Sequence, residues 1–133
     1  MYYHPSTKLS SKSKPIIFVH GTGMDHTVWT LPIRYFTRKK IEVIAIDLPG
    51  HGKNIDKPLD SIKKISQYIF DFLDTKSIAE CSVVGHSMGS LVALEMPSSK
   101  PKRIKKISMI GTAFPMQVGE ALLESAKQNS QMA

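Results

Sequence analysis

The stretch Val83-Val84-Gly85-His86-Ser87-Met88-Gly89 decides how the rest of the chain is read. It sets a serine between two glycines, directly after an apolar β-run and directly before an apolar helical run. That is the G-x-S-x-G pattern of a nucleophile elbow, in the strand–turn–helix setting that gives the pattern its meaning. The spacing has a steric logic. A serine in a sharp, strained turn is pushed clear of the backbone at the carboxyl end of its strand. A Cβ at Gly85 or Gly89 is expected to strike neighbouring strand or helix backbone, which leaves glycine as the residue that fits. The helix opening at Met88 aims unpaired N–H groups and the positive end of its dipole at the same spot. In isolation the pentapeptide also describes an ordinary strand-to-helix turn with an incidental serine, so the flanking segments have to choose.

Two earlier segments choose. Pro15-Ile16-Ile17-Phe18-Val19 is a short, continuously apolar run, which suits a parallel strand buried on both faces. It ends in His20-Gly21-Thr22-Gly23-Met24-Asp25, a glycine-rich loop that feeds a helix predicted over 27–39. The next strand, predicted over 43–48, runs into Asp47-Leu48-Pro49-Gly50-His51-Gly52. With an H-G-x loop, a D-x-P-G-x-G turn and a G-x-S-x-G elbow in this order, the chain resembles the α/β-hydrolase family from about Pro15 to Phe114. The resemblance implies an α/β fold: a mostly parallel central sheet with flanking helices, here truncated before the last strands. Helix-length segments after each strand agree with parallel crossovers.

Outward from these motifs, residues 1–14 form a polar, serine- and lysine-rich segment in which Tyr2 and Tyr3 mark a candidate earlier strand. Ile62, Ile65, Ile69 and Phe72 recur at helical spacing and predict a second helix with one apolar stripe. The elbow strand is predicted over 81–85 and its helix over 88–96, halted by Pro97, which has no backbone donor. A strand over 107–110 ends at Gly111, and Val118, Ala121, Leu122 and Ala126 begin a further helix in the tail. Residues 1–133 are expected to be one incomplete domain, with 116–133 the start of a cap or lid. The strand at 107–110 is expected to be an unpaired apolar edge through which the chain self-associates.

The residue roles follow from the motifs and the resemblance. Ser87 is the candidate nucleophile; its hydroxyl is a poor one at neutral pH without an adjacent general base. The resemblance assigns the oxyanion hole to the backbone N–H groups of Thr22 and Met88, with Gly23 as the alternative to Thr22. His20, Gly21, Gly23, Met24 and His86 are read as pocket or loop support, His20 organising the oxyanion loop through hydrogen bonds. Strand alternation turns His86 to a different side from the nucleophile. Asp25 is expected to cap the helix at 27–39 and Asp47 to close its strand. Met24 and Trp29 are candidates to border the acyl pocket, Trp29 also for helix packing. His26 and His51 are not expected to bind metal, since no carboxylates cluster with them in sequence.

The family's triad runs serine, acid, histidine along the chain. Here every histidine lies at or before position 86, and the acidic residues after Ser87 are Glu95, Glu120 and Glu124. Glu95 falls on the elbow helix, poorly placed to orient a base, and Gly111, Thr112 and Ala113 stand where a variant acid would follow the last strand. Losing the histidine of a serine triad costs roughly a millionfold in turnover, or on the order of 8 kcal/mol of barrier. The expectation is therefore a serine hydrolase acting on a carboxylic ester or related acyl substrate, inactive as this fragment. The competing expectation is a non-catalytic α/β-hydrolase-like binding module.

Composition narrows the field. The 133 residues carry 41% hydrophobic residues, enough for a core, and a formal net charge of +7. Complete members of the family run to roughly 250 residues. The one dense basic cluster, Lys100, Lys102, Arg103, Lys105 and Lys106, is expected to be a solvated loop on the face away from the elbow. No aromatic residues interleave with it, which argues against a nucleic-acid partner. Cys81, the sole cysteine, cannot form an intrachain disulfide and suits burial. No apolar run is long enough for a membrane span, and the first fourteen residues lack a secretory core, so a cytoplasmic location is expected. Neither a cofactor nor a metal is implied; the expected partner is a small-molecule acyl substrate.

Overall fold

A computed structural model describes residues 2–5, 9 and 12–129. Five strands form one sheet: β1 Tyr2–Pro5, β2 Ile16–Val19, β3 Val43–Asp47, β4 Cys81–His86 and β5 Ile104–Ile110, in the spatial order β1-β3-β2-β4-β5. Strands β2 to β5 are parallel, and β1 runs antiparallel to β3, with Tyr3 opposite Ile46. The segment at Tyr2 and Tyr3 is thus a strand, and the mostly parallel α/β architecture holds. Its remaining upstream residues, 1, 6–8, 10 and 11, lie outside the described residues, as do 130–133. No helix among the described residues is long and apolar enough to cross a membrane.

The central strands are buried as their apolar runs demand: Ile17, Val19, Ile44, Ile46 and Ala45 are fully inaccessible. Helix α1 spans Thr30–Arg38 and is preceded by a 3₁₀ turn, His26–Trp29. Helix α2 spans Ile62–Thr75 and starts where the Ser61 hydroxyl accepts a hydrogen bond from the Lys64 N–H at 3.2 Å. Its stripe buries Ile65, Ile69, Phe70, Phe72 and Leu73. Helix α3 spans Met88–Ser99, and α4 spans Glu120–Asn129. Helices α2 and α3 share one core with Ile17, Val19, Ile44, Ile46 and Val83; on the other face Phe18, Val43 and Ala45 pack with Trp29 and Ile33.

Three expectations need correcting. Pro97 does not halt α3, which continues to Ser99. The proline forfeits one intrahelical bond, yet the last turn still closes, with the Lys100 N–H donating to the Met96 carbonyl at 3.0 Å. The edge strand begins at Ile104, three residues early, because Cys81 pairs with Ile104 while Lys105 and Lys106 face solvent. The basic cluster is accordingly not a plain solvated loop. The Arg103 guanidinium donates to Asp74 and to the carbonyls of Ile78 and Ala79, and Lys105 pairs with Glu80 at 2.6 Å. Lys100 lies over the Phe70 ring, 4.6 Å from its centroid.

Candidate active site

The elbow is built on glycine. A Cβ at Gly85 would stand 2.0 Å from the Gly89 carbonyl oxygen, and one at Gly89 would stand 2.2 Å from the Val19 carbonyl oxygen. No side chain fits in either place, so β4, α3 and the end of β2 come together backbone to backbone. Ser87 sits at the joint with φ 53° and ψ −120°. For a non-glycine residue that conformation costs on the order of 1–3 kcal/mol and persists only when its surroundings enforce it. They do so here through hydrogen bonds. The Ser87 N–H donates to the Ile110 carbonyl at 2.9 Å, and the Ser87 carbonyl accepts from the Ser90 N–H at 2.8 Å.

The loop after β2 folds against this joint. A Cβ on Gly21 would lie 3.1 Å from Ser87 Cβ and 3.3 Å from His86 Nδ1. The loop turns through a hydrogen bond from the Met24 N–H to the Gly21 carbonyl at 3.2 Å, with Gly23 at φ 72°. The Thr22 hydroxyl rests on Met88 Sδ at 3.3 Å, so the two residues assigned to the oxyanion hole are neighbours across the joint. Among the described residues neither the Thr22 N–H nor the Met88 N–H has a hydrogen-bond acceptor.

His20 is a scaffold residue. It is fully buried; its Nδ1 donates to the Gly21 carbonyl at 2.7 Å and its Nε2 accepts from the Leu48 N–H at 3.1 Å. Burial holds its pKa below the ordinary value, and a proton on Nε2 would orphan the Leu48 N–H. His51 lies beside it, the ring centroids 5.1 Å apart and the planes tilted by 50°, and hydrogen-bonds the Pro49 carbonyl. His86 lies between the Gly21 loop and Gly111, half exposed, on the face of β4 opposite the buried Val83 and Gly85. Trp29 is buried against Phe18 at 4.8 Å between centroids, a helix-packing role, whereas Met24 is 37% exposed beside the loop. Cys81 is buried, which pushes its thiol up to about 12.

The expectation that no carboxylates gather around His26 is overturned. Ligand atoms of Asp25, His26 and Asp47 lie within 4.8 Å of one another. Sequence spacing hid this, because Asp47 arrives from a different strand. The cluster reads as a clamp on two loops. Buried Asp47 accepts from the His26 N–H at 2.7 Å, from His26 Nδ1 at 2.9 Å and from the Lys53 N–H at 2.9 Å. Asp25 caps the 3₁₀ turn through the Thr27 N–H at 2.8 Å, and the Thr27 hydroxyl and N–H together hold its carboxyl below the usual range. Both oxygens of Asp47 and Oδ1 of Asp25 thus accept hydrogen bonds from the protein itself.

Around Ser87 itself one residue went unforeseen. Its hydroxyl points to Met116 Sδ at 4.0 Å, and among the described residues no histidine or carboxylate hydrogen-bonds to it. Glu95 is engaged on α3 by the Ser99 hydroxyl at 2.9 Å. The signal for Met116 was indirect: β5 ends beside the elbow, its Ile110 carbonyl accepting the Ser87 N–H, so the chain leaving it starts next to Ser87. An open groove of about 400 Å³ lined by Tyr3, Asp56, Tyr68, Phe72 and Lys76, among others, shares no residue with this site.

Known proteins give the context. A family model described as the alpha/beta hydrolase fold matches residues 14–132. Over 104 residues the chain is 27% identical to (E)-2-((N-methylformamido)methylene)succinate hydrolase of Acinetobacter baylyi, covering 77% of this chain and 39% of that protein. Over 110 residues it is 34% identical to the dihydrolipoyllysine-residue acetyltransferase component of the acetoin cleaving system of Pseudomonas putida, covering 81% of this chain and 28% of that one. A solved structure from work on carboxylesterases of Nitrososphaera gargenis superposes with a TM-score of 0.78 at 24% identity, over 99% of this chain and 48% of the other. The chain thus spans less than half the length of each.

Proposed function

This chain belongs to the α/β-hydrolase fold family, and from that premise we propose that it is a serine hydrolase acting on a carboxylic ester or a related acyl substrate. Whole-protein activity, substrate and partners are all part of this proposal, given the share of its relatives that the chain spans. Ser87 Oγ attacks the carbonyl carbon, and the Thr22 and Met88 N–H groups hold the oxygen as it becomes an anion. The alcohol leaves, and water then releases the acyl group from Ser87 as the acid. The observation that carries this reading is the strained conformation of Ser87, at φ 53°, between two glycines that admit no Cβ. Strain of that kind is retained where a hydroxyl has to be presented.

No acid and base partner of Ser87 is found among the described residues, so we propose that the 133 residues alone give no ester turnover that depends on Ser87. What survives without acid and base is oxyanion stabilisation and binding, worth roughly 10³ over water. A second reading is favoured by the Met116 contact: a thioether is a weak acceptor and cannot take the serine proton. That fits a binding module that keeps the pocket without the chemistry. A p-nitrophenyl ester assay with a fluorophosphonate probe of Ser87 separates the readings. Turnover well above background that Ser87→Ala abolishes overturns the inactivity and requires a base among these residues. A longer product of the same reading frame that contains an acid and a histidine should turn esters over and lose about 10⁶-fold in Ser87→Ala. Absence of turnover there, with ester binding intact, favours the module.

A further inference from the structure

Two thioethers border the site. Met88 Sδ receives the Thr22 hydroxyl at 3.3 Å, and Met116 Sδ stands 4.0 Å from Ser87 Oγ. A third methionine, Met24, is 37% exposed on the same loop as Thr22. The side chains that contact the hydroxyl and its oxyanion loop at these points are apolar, unbranched and uncharged. Met116 is half-buried, and it approaches from the segment after β5, which no strand or helix fixes in place.

We propose that Met116, together with Met88, determines specificity at this site by selecting an unbranched apolar acyl chain. The inference rests on the reading of Ser87 as the residue that receives the acyl group. Methionine has three rotatable side-chain bonds and a polarizable sulfur, so it moulds itself to a flexible chain without a fixed shape of its own. Its hold on the serine hydroxyl is weak, so an entering acyl chain displaces the sulfur at little cost. Once displaced, Met116 becomes a wall of the acyl pocket. Each methylene buried against that wall favours the longer chain by about fourfold.

The test needs no catalysis. Ser87→Cys places a thiol at the same position, and alkyl methanethiosulfonates convert it to a mixed disulfide. The thiolate attacks the sulfenyl sulfur, a new S–S bond forms, and methanesulfinate leaves with the bonding pair. Buried Cys81, its thiol pushed up to about 12, stays out of this reaction. Hydrogen peroxide then transfers one oxygen atom to each accessible thioether and leaves as water, and peptide mass spectrometry reads each methionine separately. With an octyl group on the introduced thiol, oxidation of Met116 should be slower than with a methyl group by about fourfold, the worth of a single methylene of the chain held against its sulfur. Met109, 44% exposed on the edge strand, should oxidise equally with either and serves as the internal control. Met116→Gln in the same background should lower the octyl-over-methyl preference of modification at the introduced thiol by about fourfold, and Met116→Leu should restore it. Equal oxidation of Met116 with both groups, or a chain preference that Met116→Gln leaves unchanged, overturns the proposal. Because Ser87 is replaced, a chain that fails every ester assay still passes or fails this test independently.

Discussion

The two faces of the sheet differ sharply in how they are covered. On one, α2 and α3 enclose Ile17, Val19, Ile44, Ile46 and Val83 in a continuous core. On the other, α1 and its 3₁₀ turn cover Phe18, Val43 and Ala45 and stop there. Strand β4 records the difference residue by residue. Cys81, Val83 and Gly85 are buried, while Ser82, Val84 and His86 between them are half exposed. Beyond it, Ile110 of β5, in register with His86, is 47% exposed. The covered face builds the elbow: α3 can present Ser87 only because it is pressed onto β4 and β2 through glycine. Presentation of the hydroxyl therefore rests on the covered face, together with the Ile110 carbonyl of β5 that holds the Ser87 N–H.

The most severe way to break this comparison is Gly85→Ala. Its methyl group would fall 2.0 Å from the Gly89 carbonyl oxygen, a backbone atom that no rotamer change can move. Loss of the cooperative thermal transition in circular dichroism is expected; a folded Gly85→Ala protein would mean that α3 is not locked to β4. Next in size is a matched pair of truncations followed by urea denaturation. Phe70→Ala, at a fully buried position of the covered face, should cost about 3–5 kcal/mol. Ile110→Ala, beside His86 on the open face, should stay within about 0.5 kcal/mol. Similar values for the two would show that the faces are equally packed.

A smaller effect sharpens the picture at the loop that faces Ser87. His20 is held neutral by burial, with its pKa below the ordinary 6.5, so below that pH the unfolded chain binds a proton that the folded chain refuses. Stability from this residue is complete above pH 6.5 and is lost as the pH falls from there toward the lowered folded value. Thermal melts of the parent chain should show this slope, and His20→Gln should flatten it. An unchanged slope in His20→Gln would assign the acid sensitivity to another group.

Much of this molecule was legible because its signals are local. The runs at 16–19 and 43–47 are apolar almost without a break, which a strand buried on both faces requires, and Ile62, Ile65, Ile69 and Phe72 spell out a helix stripe within themselves. The glycines around Ser87 are a steric statement written into five consecutive residues, and the loop at His20 was placed beside them by the resemblance its motif carries.

What the sequence determined alone, then, was the succession of strands and helices and the position of the presented serine. Tertiary structure decided the rest. It continued α3 past Pro97, since one missing donor matters little when the next turn closes. It drew Ile104 into the sheet by pairing it with Cys81, and it anchored Arg103 on carbonyls more than twenty residues away in sequence. It also brought Asp47 to His26 and Met116 to Ser87, contacts 21 and 29 residues apart along the chain. Spacing along a chain reports backbone geometry over a few residues; which distant side chains meet depends on how the packed elements cross, and that is settled only when they fold.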